Sequence, residues 1–248
     1  MSRLIGCVVT LLGLALNVQA AEVSVAVASN FTAPMRKIAQ AFEQETGHRA
    51  VLSSGSTGGF HVQIRNGAPF QVLVAADAST PLKIESEGLG VEGSRFTYAI
   101  GTLVLWSAQP GFVDGTGDVL RRGKFERIAI ANPKLAPYGV AALETLSRLG
   151  VLQRVQPRLV RGENISQAYQ FVATGNAELG LVALSQVVDD GKMVRGSGWI
   201  IPADLHAPIR QDAILLTSGK DHPAAIALMG FLRGDKARSV IRSFGYDL

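Results

Sequence analysis

Four polar segments, each between an apolar stretch and a helical pattern, carry residues that could bind an anion. They share a place at the predicted start of a helix and are Ser29-Asn30, Ser56-Thr57-Gly58-Gly59, Ala136-Pro137-Tyr138-Gly139 and Glu163-Asn164-Ile165-Ser166. The first turn of a helix has backbone N–H groups without intrahelical partners and lies at the positive end of the helix dipole. Such helix starts bind anions, so the sequence indicates a site for a small anion.

Each segment alone has a simpler explanation. Ser, Thr and Asn are common N-terminal caps, and the glycines after Thr57 also occur in ordinary turns. Tyr138 could pack as an aromatic residue under its loop. The recurrence of four such segments, two in each half of the chain, favours one shared anion site over four separate caps.

Alternating strand and helix patterns surround the four segments. Buried strands are predicted at residues 23–28, 49–52, 72–76, 97–106, 127–131, 158–160, 179–183 and 212–216. The first helix has apolar residues at i, i+3, i+4 and i+7 between Met35 and Phe42. This order is typical of α/β proteins with mostly parallel sheets and right-handed crossovers.

The alternation begins twice, which predicts two lobes, each a mostly parallel sheet flanked by helices. Residues 21–99 and 213–248 would form lobe 1, and residues 100–212 would form lobe 2. The chain then crosses between the lobes near Ala99-Ile100 and Gln211-Asp212, which are the predicted hinge. Ligands of open α/β sheets bind beyond the carboxyl ends of the strands, so the four segments should face one cleft.

The first twenty residues have the features of a secretory signal peptide. Arg3 precedes an apolar stretch over residues 4–16, and small residues follow up to Ala20, where cleavage is predicted. The stretch is too short for a membrane-spanning helix. Cys7 is the only cysteine, so the mature chain has no thiol for a disulfide, a metal site or catalysis.

Charge and motif patterns exclude several classes of function. The net charge of +4 includes one short basic run, residues 121–124, and not the basic face of a nucleic-acid-binding protein. Neither the phosphate-binding Gly-Lys-Ser/Thr motif nor the Gly-x-Ser-x-Gly motif occurs. The four histidines have no metal-ligand spacing. Asp77 is interpreted as a cap or hydrogen-bond acceptor, although a secreted enzyme such as a dehydratase using Asp77 or Glu163 remains an alternative.

Over its whole mature length the sequence resembles the periplasmic molybdate-binding proteins of ABC transporters. The stretches that carry this resemblance are residues 28–31, 53–58, 66–69, 75–77, 136–139 and 179–185. The resemblance implies a type II-like periplasmic-binding-protein fold that closes on molybdate or tungstate. It also implies a monomer that is not an enzyme, has no cofactor and delivers its ligand to the membrane permease of an ABC importer.

By position, the resemblance implies six ligands of the anion: Ser29, Asn30, Ser56, Thr57, Tyr138 and Ile165. Ile165 would act through its main-chain N–H, and Tyr138 through its hydroxyl or N–H. Many family members place a tyrosine at the position of Ala183, so the sequence is closer to the branch that relies on Tyr138. The alternative is a receptor for another tetrahedral oxyanion, such as sulfate. Selection between these anions would depend on the size of the cavity.

Overall fold

The computed structural model describes residues 20–189 and 191–248 of the chain. The predicted signal peptide lies outside the described residues except for Ala20. The strands are β1 (Glu22–Ala28), β2 (Arg49–Gly55), β3 (Val72–Val74), β4 (Phe96–Gly101), β5 (Leu103–Ser107), β6 (Ile128–Ala131), β7 (Leu159–Gly162), β8 (Leu179–Ala183), β9 (Val188–Asp189), β10 (Lys192–Met193), β11 (Ser197–Ile200) and β12 (Ile209–Leu215). The helices are α1 (Thr32–Thr46), α2 (Thr57–Arg65), α3 (Ser79–Ser86), α4 (Val119–Arg122), α5 (Pro137–Arg148), α6 (Leu152–Val155), α7 (Ile165–Ala173), α8 (Pro223–Arg233) and α9 (Asp235–Ser243).

Two five-stranded sheets form the two lobes. The lobe 1 sheet has the order β2-β1-β3-β12-β4, and the lobe 2 sheet has the order β11-β5-β8-β6-β7. Each sheet is mixed, with two parallel and two antiparallel strand pairs, where mostly parallel sheets were predicted. The strands that precede the four polar segments pair in parallel, β1 with β2 and β6 with β7, whereas β12 and β5 pair antiparallel with both of their neighbours.

Helices cover the sheets because the apolar side chains along one face of each helix pack against the apolar side chains of the strands. In α1, Met35, Ile38 and Phe42 are fully buried against lobe 1, which confirms the predicted helical spacing. The helix ends at Gly47, whose φ of 72° suits glycine. Lobe 2 has its own core around β5, β6 and β8, covered by α5 and α7. Each lobe therefore holds its strand ends, and the segments that follow them, on a packed core.

The crossing strands β4 and β12 are antiparallel neighbours, and their register shifts between Gln211 and Asp212. Such a shift is a β-bulge, which bends a strand locally. The Asp212 carboxylate beside it is buried and accepts from Arg95 Nη1 at 2.6 Å and from Thr97 Oγ1 at 2.7 Å. The bulge lies in the segment predicted as a hinge. The domain boundaries and the hinge motion themselves stay predictions.

Candidate functional site

All six residues predicted to bind the anion line one cavity between the two lobes. The polar segments after β1 and β2 enter it from lobe 1, and those after β6 and β7 enter it from lobe 2. The cavity has a volume of about 10 Å³ open to the centre of a water-sized sphere, which is about the room that one water molecule needs. The topology thus brings together segments that are more than a hundred residues apart.

Thr57 and Ser56 present hydroxyl groups at the start of α2. Thr57 is 1% exposed, and its Oγ1 accepts a hydrogen bond from the Ala76 N–H at 2.9 Å. Because Thr57 Oγ1 is the acceptor there, its own proton remains available for a ligand. Ser56 occupies the N-cap position, yet its hydroxyl makes no hydrogen bond to any described residue. Both hydroxyls are therefore candidate anion donors.

Ser29 begins a short 3-10 turn (Ser29–Phe31) after β1 and contacts lobe 2 directly. Its Oγ lies 3.4 Å from the N–H of Ser166, and its carbonyl oxygen accepts from Ser166 Oγ at 3.2 Å. These bonds join the first turn of α7 to the 3-10 turn of lobe 1. The Ser29 hydroxyl acts as acceptor in the first bond and keeps its proton for the cavity.

Asn30 uses its side chain in a buried network. Its Nδ2 donates to Gln211 Oε1 at 2.8 Å and to the Tyr246 hydroxyl at 3.0 Å, and its carbonyl oxygen accepts from Ser185 Oγ at 2.9 Å. Both hydrogens of the Asn30 side-chain amide are thus committed to protein contacts. Its main-chain N–H lies in the 3-10 turn, where no preceding helical turn supplies a partner.

Tyr138 and Ile165 bring main-chain N–H groups from lobe 2. Tyr138 is the second residue of α5 and Ile165 is the first of α7, so neither N–H has an intrahelical partner. Asn164 caps α7 by accepting from the Gln167 N–H at 3.0 Å, which leaves the N–H of Ile165 to the cavity. The Tyr138 hydroxyl accepts from Gln211 Nε2 at 3.2 Å.

The cavity wall has donors and no charged side chain among the described residues. Burial raises the pKa of the Tyr138 phenol well above its usual range, so this group is neutral at physiological pH. The starts of α2, α5 and α7 supply partial positive charge at the same place. A wall of this kind suits an anion, because the N–H and O–H groups point at it without an ion pair.

Asp77 and Glu163, the residues of the enzymatic alternative, lie outside the cavity wall. The Asp77 carboxylate accepts from the Thr80 N–H at 2.6 Å and from Thr80 Oγ1 at 3.1 Å, which confirms the predicted role as a hydrogen-bond acceptor. Burial, the larger effect, raises the pKa of Asp77 in spite of these bonds. Glu163 is exposed to solvent.

The Gly58-Gly59 pair at the end of the second polar segment has a steric role. The Gly58 N–H donates to the Leu135 carbonyl oxygen of lobe 2 at 3.0 Å, which closes the cleft beside the cavity. A Cβ at Gly58 would lie 3.1 Å from that oxygen. The glycine therefore lets the two lobes approach closely, as a loop without side chains can.

Two larger grooves, of about 420 and 710 Å³, adjoin the cavity. The first has two acidic residues, Asp77 and Glu144, and two basic residues, Lys134 and Arg210, in its wall. Both grooves are far larger than a small oxyanion. The described residues contain no group of three or more histidine, cysteine, aspartate or glutamate residues suited to a metal ion. In this part of the chain, no helix has the length and apolarity needed to span a membrane.

Comparison with known proteins identifies the family to which the chain belongs. Residues 23–247 match the family described as bacterial extracellular solute-binding proteins, and the chain belongs to this family. Members of this class bind solutes outside the cytoplasm, so the chain is a secreted solute-binding protein. The match covers both lobes.

Individual relatives show which members of the family this chain is similar to. The molybdate-binding protein ModA of Azotobacter vinelandii is 60% identical over 235 residues, which cover 95% of this chain and 93% of the relative. ModA of Rhodobacter capsulatus is 51% identical over 235 residues, with coverage of 95% and 92%. The solved structure of the periplasmic molybdate-binding protein of Azotobacter vinelandii matches with a TM-score of 0.89 at 42% identity, covering 91% of this chain and 99% of that one. These findings confirm the predicted resemblance and fold, and they favour a binding protein over an enzyme.

Proposed function

We propose that this protein is a periplasmic receptor that binds molybdate between its lobes and delivers it to the membrane permease of an ABC importer. The observation that carries the proposal is the single cavity lined by all six predicted residues, with hydroxyl and N–H donors from both lobes. The molybdate-binding relatives at 60% and 51% identity support the choice of ligand. Tungstate has the same shape and charge and is the second ligand expected.

The proposed donor set divides by lobe. Lobe 1 supplies the hydroxyls of Ser29, Ser56 and Thr57 and the main-chain N–H of Asn30. Lobe 2 supplies the main-chain N–H groups of two residues, Tyr138 and Ile165. A dianion that leaves water needs many donors around it, and hydrogen bonds to a charged group are stronger than neutral ones.

The hydrogen-bond acceptors of the cavity wall decide whether a protonated or a fully deprotonated anion fits. Phosphate carries a proton near neutral pH and requires an acceptor for it, whereas no carboxylate lines the cavity among the described residues. Fully deprotonated tetrahedral anions fit better. Sulfate meets the same requirement, so selection between sulfate and molybdate would depend on the dimensions of the closed cavity.

The start of the mature chain is consistent with secretion and cleavage after Ala20. The Ala21 N–H lies 3.2 Å from His48 Nδ1, and the Ala21 carbonyl oxygen accepts from the Arg49 N–H at 2.9 Å. Ala21 is therefore held at the edge of β2, while Ala20 is exposed. A mature chain that begins at Ala21 would keep both contacts.

We further propose that the lobes open and close about the crossing strands. The predicted bounds, residues 21–99 and 213–248 for lobe 1 and residues 100–212 for lobe 2, fall inside the crossing strands β4 and β12 of the lobe 1 sheet, and we propose bending at the bulge between Gln211 and Asp212. The ligand would hold the closed form because it bonds to both lobes at once. We also propose that the receptor works as a monomer, because residues from both lobes of one chain line the cavity.

Thermal unfolding with a panel of oxyanions tests the function. A ligand that binds only the folded protein adds about 2.7 kcal/mol at 100 times its dissociation constant. For a chain of this size, molybdate should raise the melting temperature by roughly 5–10 °C. Tungstate should act similarly, and sulfate at the same concentration should do much less. Equal shifts from sulfate and molybdate would count against a molybdate receptor, and no shift from any oxyanion would contradict an anion receptor altogether.

A further inference from the structure

One buried amide lies where both lobes, the crossing strands and the cavity meet. Gln211 is fully buried on β12, directly before the bulge. Its Oε1 accepts from Asn30 Nδ2 at 2.8 Å and lies 2.9 Å from the Tyr98 hydroxyl. Its Nε2 donates to the Tyr138 hydroxyl at 3.2 Å. Gln211 therefore bonds to a cavity residue of each lobe.

The surroundings leave this amide little freedom. A Cβ at Gly101, on the other crossing strand, would lie 2.2 Å from the Tyr138 hydroxyl and 2.4 Å from Gln211 Nε2. The pair is thus packed against the backbone at the point where the chain passes from lobe 1 to lobe 2. Tyr246 completes the group by donating to the Asn30 carbonyl oxygen at 2.9 Å.

We infer that Gln211 is a positioning residue that couples anion binding to lobe closure through the Tyr138 hydroxyl. The inference rests on the proposed function. The Gln211–Tyr138 bond joins the hinge strand to α5, whose first turn carries the Tyr138 N–H into the cavity. Opening the lobes moves α5 away from β12 and breaks this bond. Its formation therefore favours the closed form and places the N–H where the anion needs it.

The bond also gives the Tyr138 hydroxyl a role other than direct ligation. Gln211 Nε2 donates to the phenol oxygen, and the amide is oriented by the donors that reach its Oε1 from Asn30 and Tyr98. This hydrogen bond holds the Tyr138 ring in place, and the ring in turn holds the start of α5. The N–H of the same residue remains the group that meets the anion.

A double-mutant cycle in molybdate affinity tests the inference. Gln211→Met keeps the volume of the side chain and removes both polar atoms, and Tyr138→Phe removes the partner hydroxyl. A neutral hydrogen bond corresponds to a roughly 2- to 13-fold change in the dissociation constant. Each single variant should lose about that much, and the double variant should lose no more than the weaker-binding single one. Dissociation should become faster with association unchanged, because the bond exists only in the closed form.

Thr97→Val is the matched control. Thr97 bonds to the Asp212 carboxylate on the other side of the bulge, and that bond involves no cavity residue. In the double variant, the fold-change that Thr97→Val causes in the molybdate dissociation constant should multiply with the fold-change that Tyr138→Phe causes, as expected for independent sites. Gln211→Asn, which withdraws the amide by one methylene and keeps its polarity, serves if Gln211→Met lowers the melting temperature so far that the protein does not fold.

The outcomes separate this inference from the function on which it rests. If the parent binds molybdate and the losses of the Gln211 and Tyr138 variants multiply, Gln211 acts without Tyr138 and the inference is wrong. A faster dissociation for Thr97→Val equal to that of Gln211→Met would also overturn it, because any damage to the hinge would then suffice. If the parent binds neither molybdate nor tungstate, the proposed function fails and the inference falls with it.

Discussion

Thr57→Val should weaken molybdate binding roughly 10- to 150-fold, which is the range for one lost hydrogen bond to a charged partner. Valine keeps the β-branched shape and removes the hydroxyl that faces the cavity. The substitution also leaves the Ala76 N–H without the partner that it has at 2.9 Å. The unligated protein should therefore lose about 1–3 kcal/mol of stability as well. Titration calorimetry measures the first effect, and thermal unfolding without ligand measures the second.

Thr57→Ser is the control for this prediction. Serine keeps the hydroxyl and can serve both Ala76 and the anion, so its affinity should stay within a few-fold of the parent. If Thr57→Val binds molybdate as tightly as Thr57→Ser, the hydroxyl does not contact the anion. The lobe 1 contribution would then come from Ser29, Ser56 and main-chain N–H groups.

Gly101→Ala should weaken molybdate binding by roughly 5- to 150-fold, although the residue does not line the cavity. The added methyl would lie 2.2 Å from the Tyr138 hydroxyl and 2.4 Å from Gln211 Nε2, so one of them must move. Overpacking of this kind costs about 1–3 kcal/mol. The cost applies to the closed form, in which Tyr138 is adjacent, and it therefore appears as lost affinity. Binding titration together with small-angle scattering, which reports closure, would measure it.

Gly230→Ala is the matched glycine control. Gly230 lies inside α8, is exposed to solvent, and a Cβ there would have no heavy atom within 4 Å. The change should leave affinity unaltered and stabilise the helix by about 0.4–1 kcal/mol. If Gly101→Ala also left affinity unchanged, the packing at the crossing strands would have no part in binding.

Local patterns predicted most of the strands and helices of this chain and its polar segments, but they predicted neither α3 nor β11. The segment around Ser56-Thr57 was identified as a helix start because small polar residues follow a strand, and α2 does begin at Thr57. The order of the strands then placed the segments at one cleft, and the structure brings the six predicted residues to one cavity. That they bind the anion remains a proposal.

Contacts between distant parts of the chain could not be predicted in the same way. Residues 97–106 form an uninterrupted strand pattern, yet the chain leaves the first sheet after Gly101 and enters the second at Leu103. Gln211 is separated from Asn30 by 181 residues, and a glutamine in a strand carries no local sign of a buried partner. Tyr246 near the C-terminus likewise reaches Asn30 only through the tertiary fold. Such pairs depend on how distant elements of the chain pack in the folded protein, which periodicity does not encode.

Anomalous diffraction from crystals grown with tungstate tests the central claim most directly, because tungsten marks its own position. The account predicts one strong peak per chain in the cavity, with oxygen atoms about 2.7–3.2 Å from the Thr57 hydroxyl and from the N–H groups of Tyr138 and Ile165. Excess molybdate in the crystallisation should remove that peak. A peak in either larger groove, or none in the cavity at saturating tungstate, would contradict the claim that this protein binds its oxyanion between the two lobes.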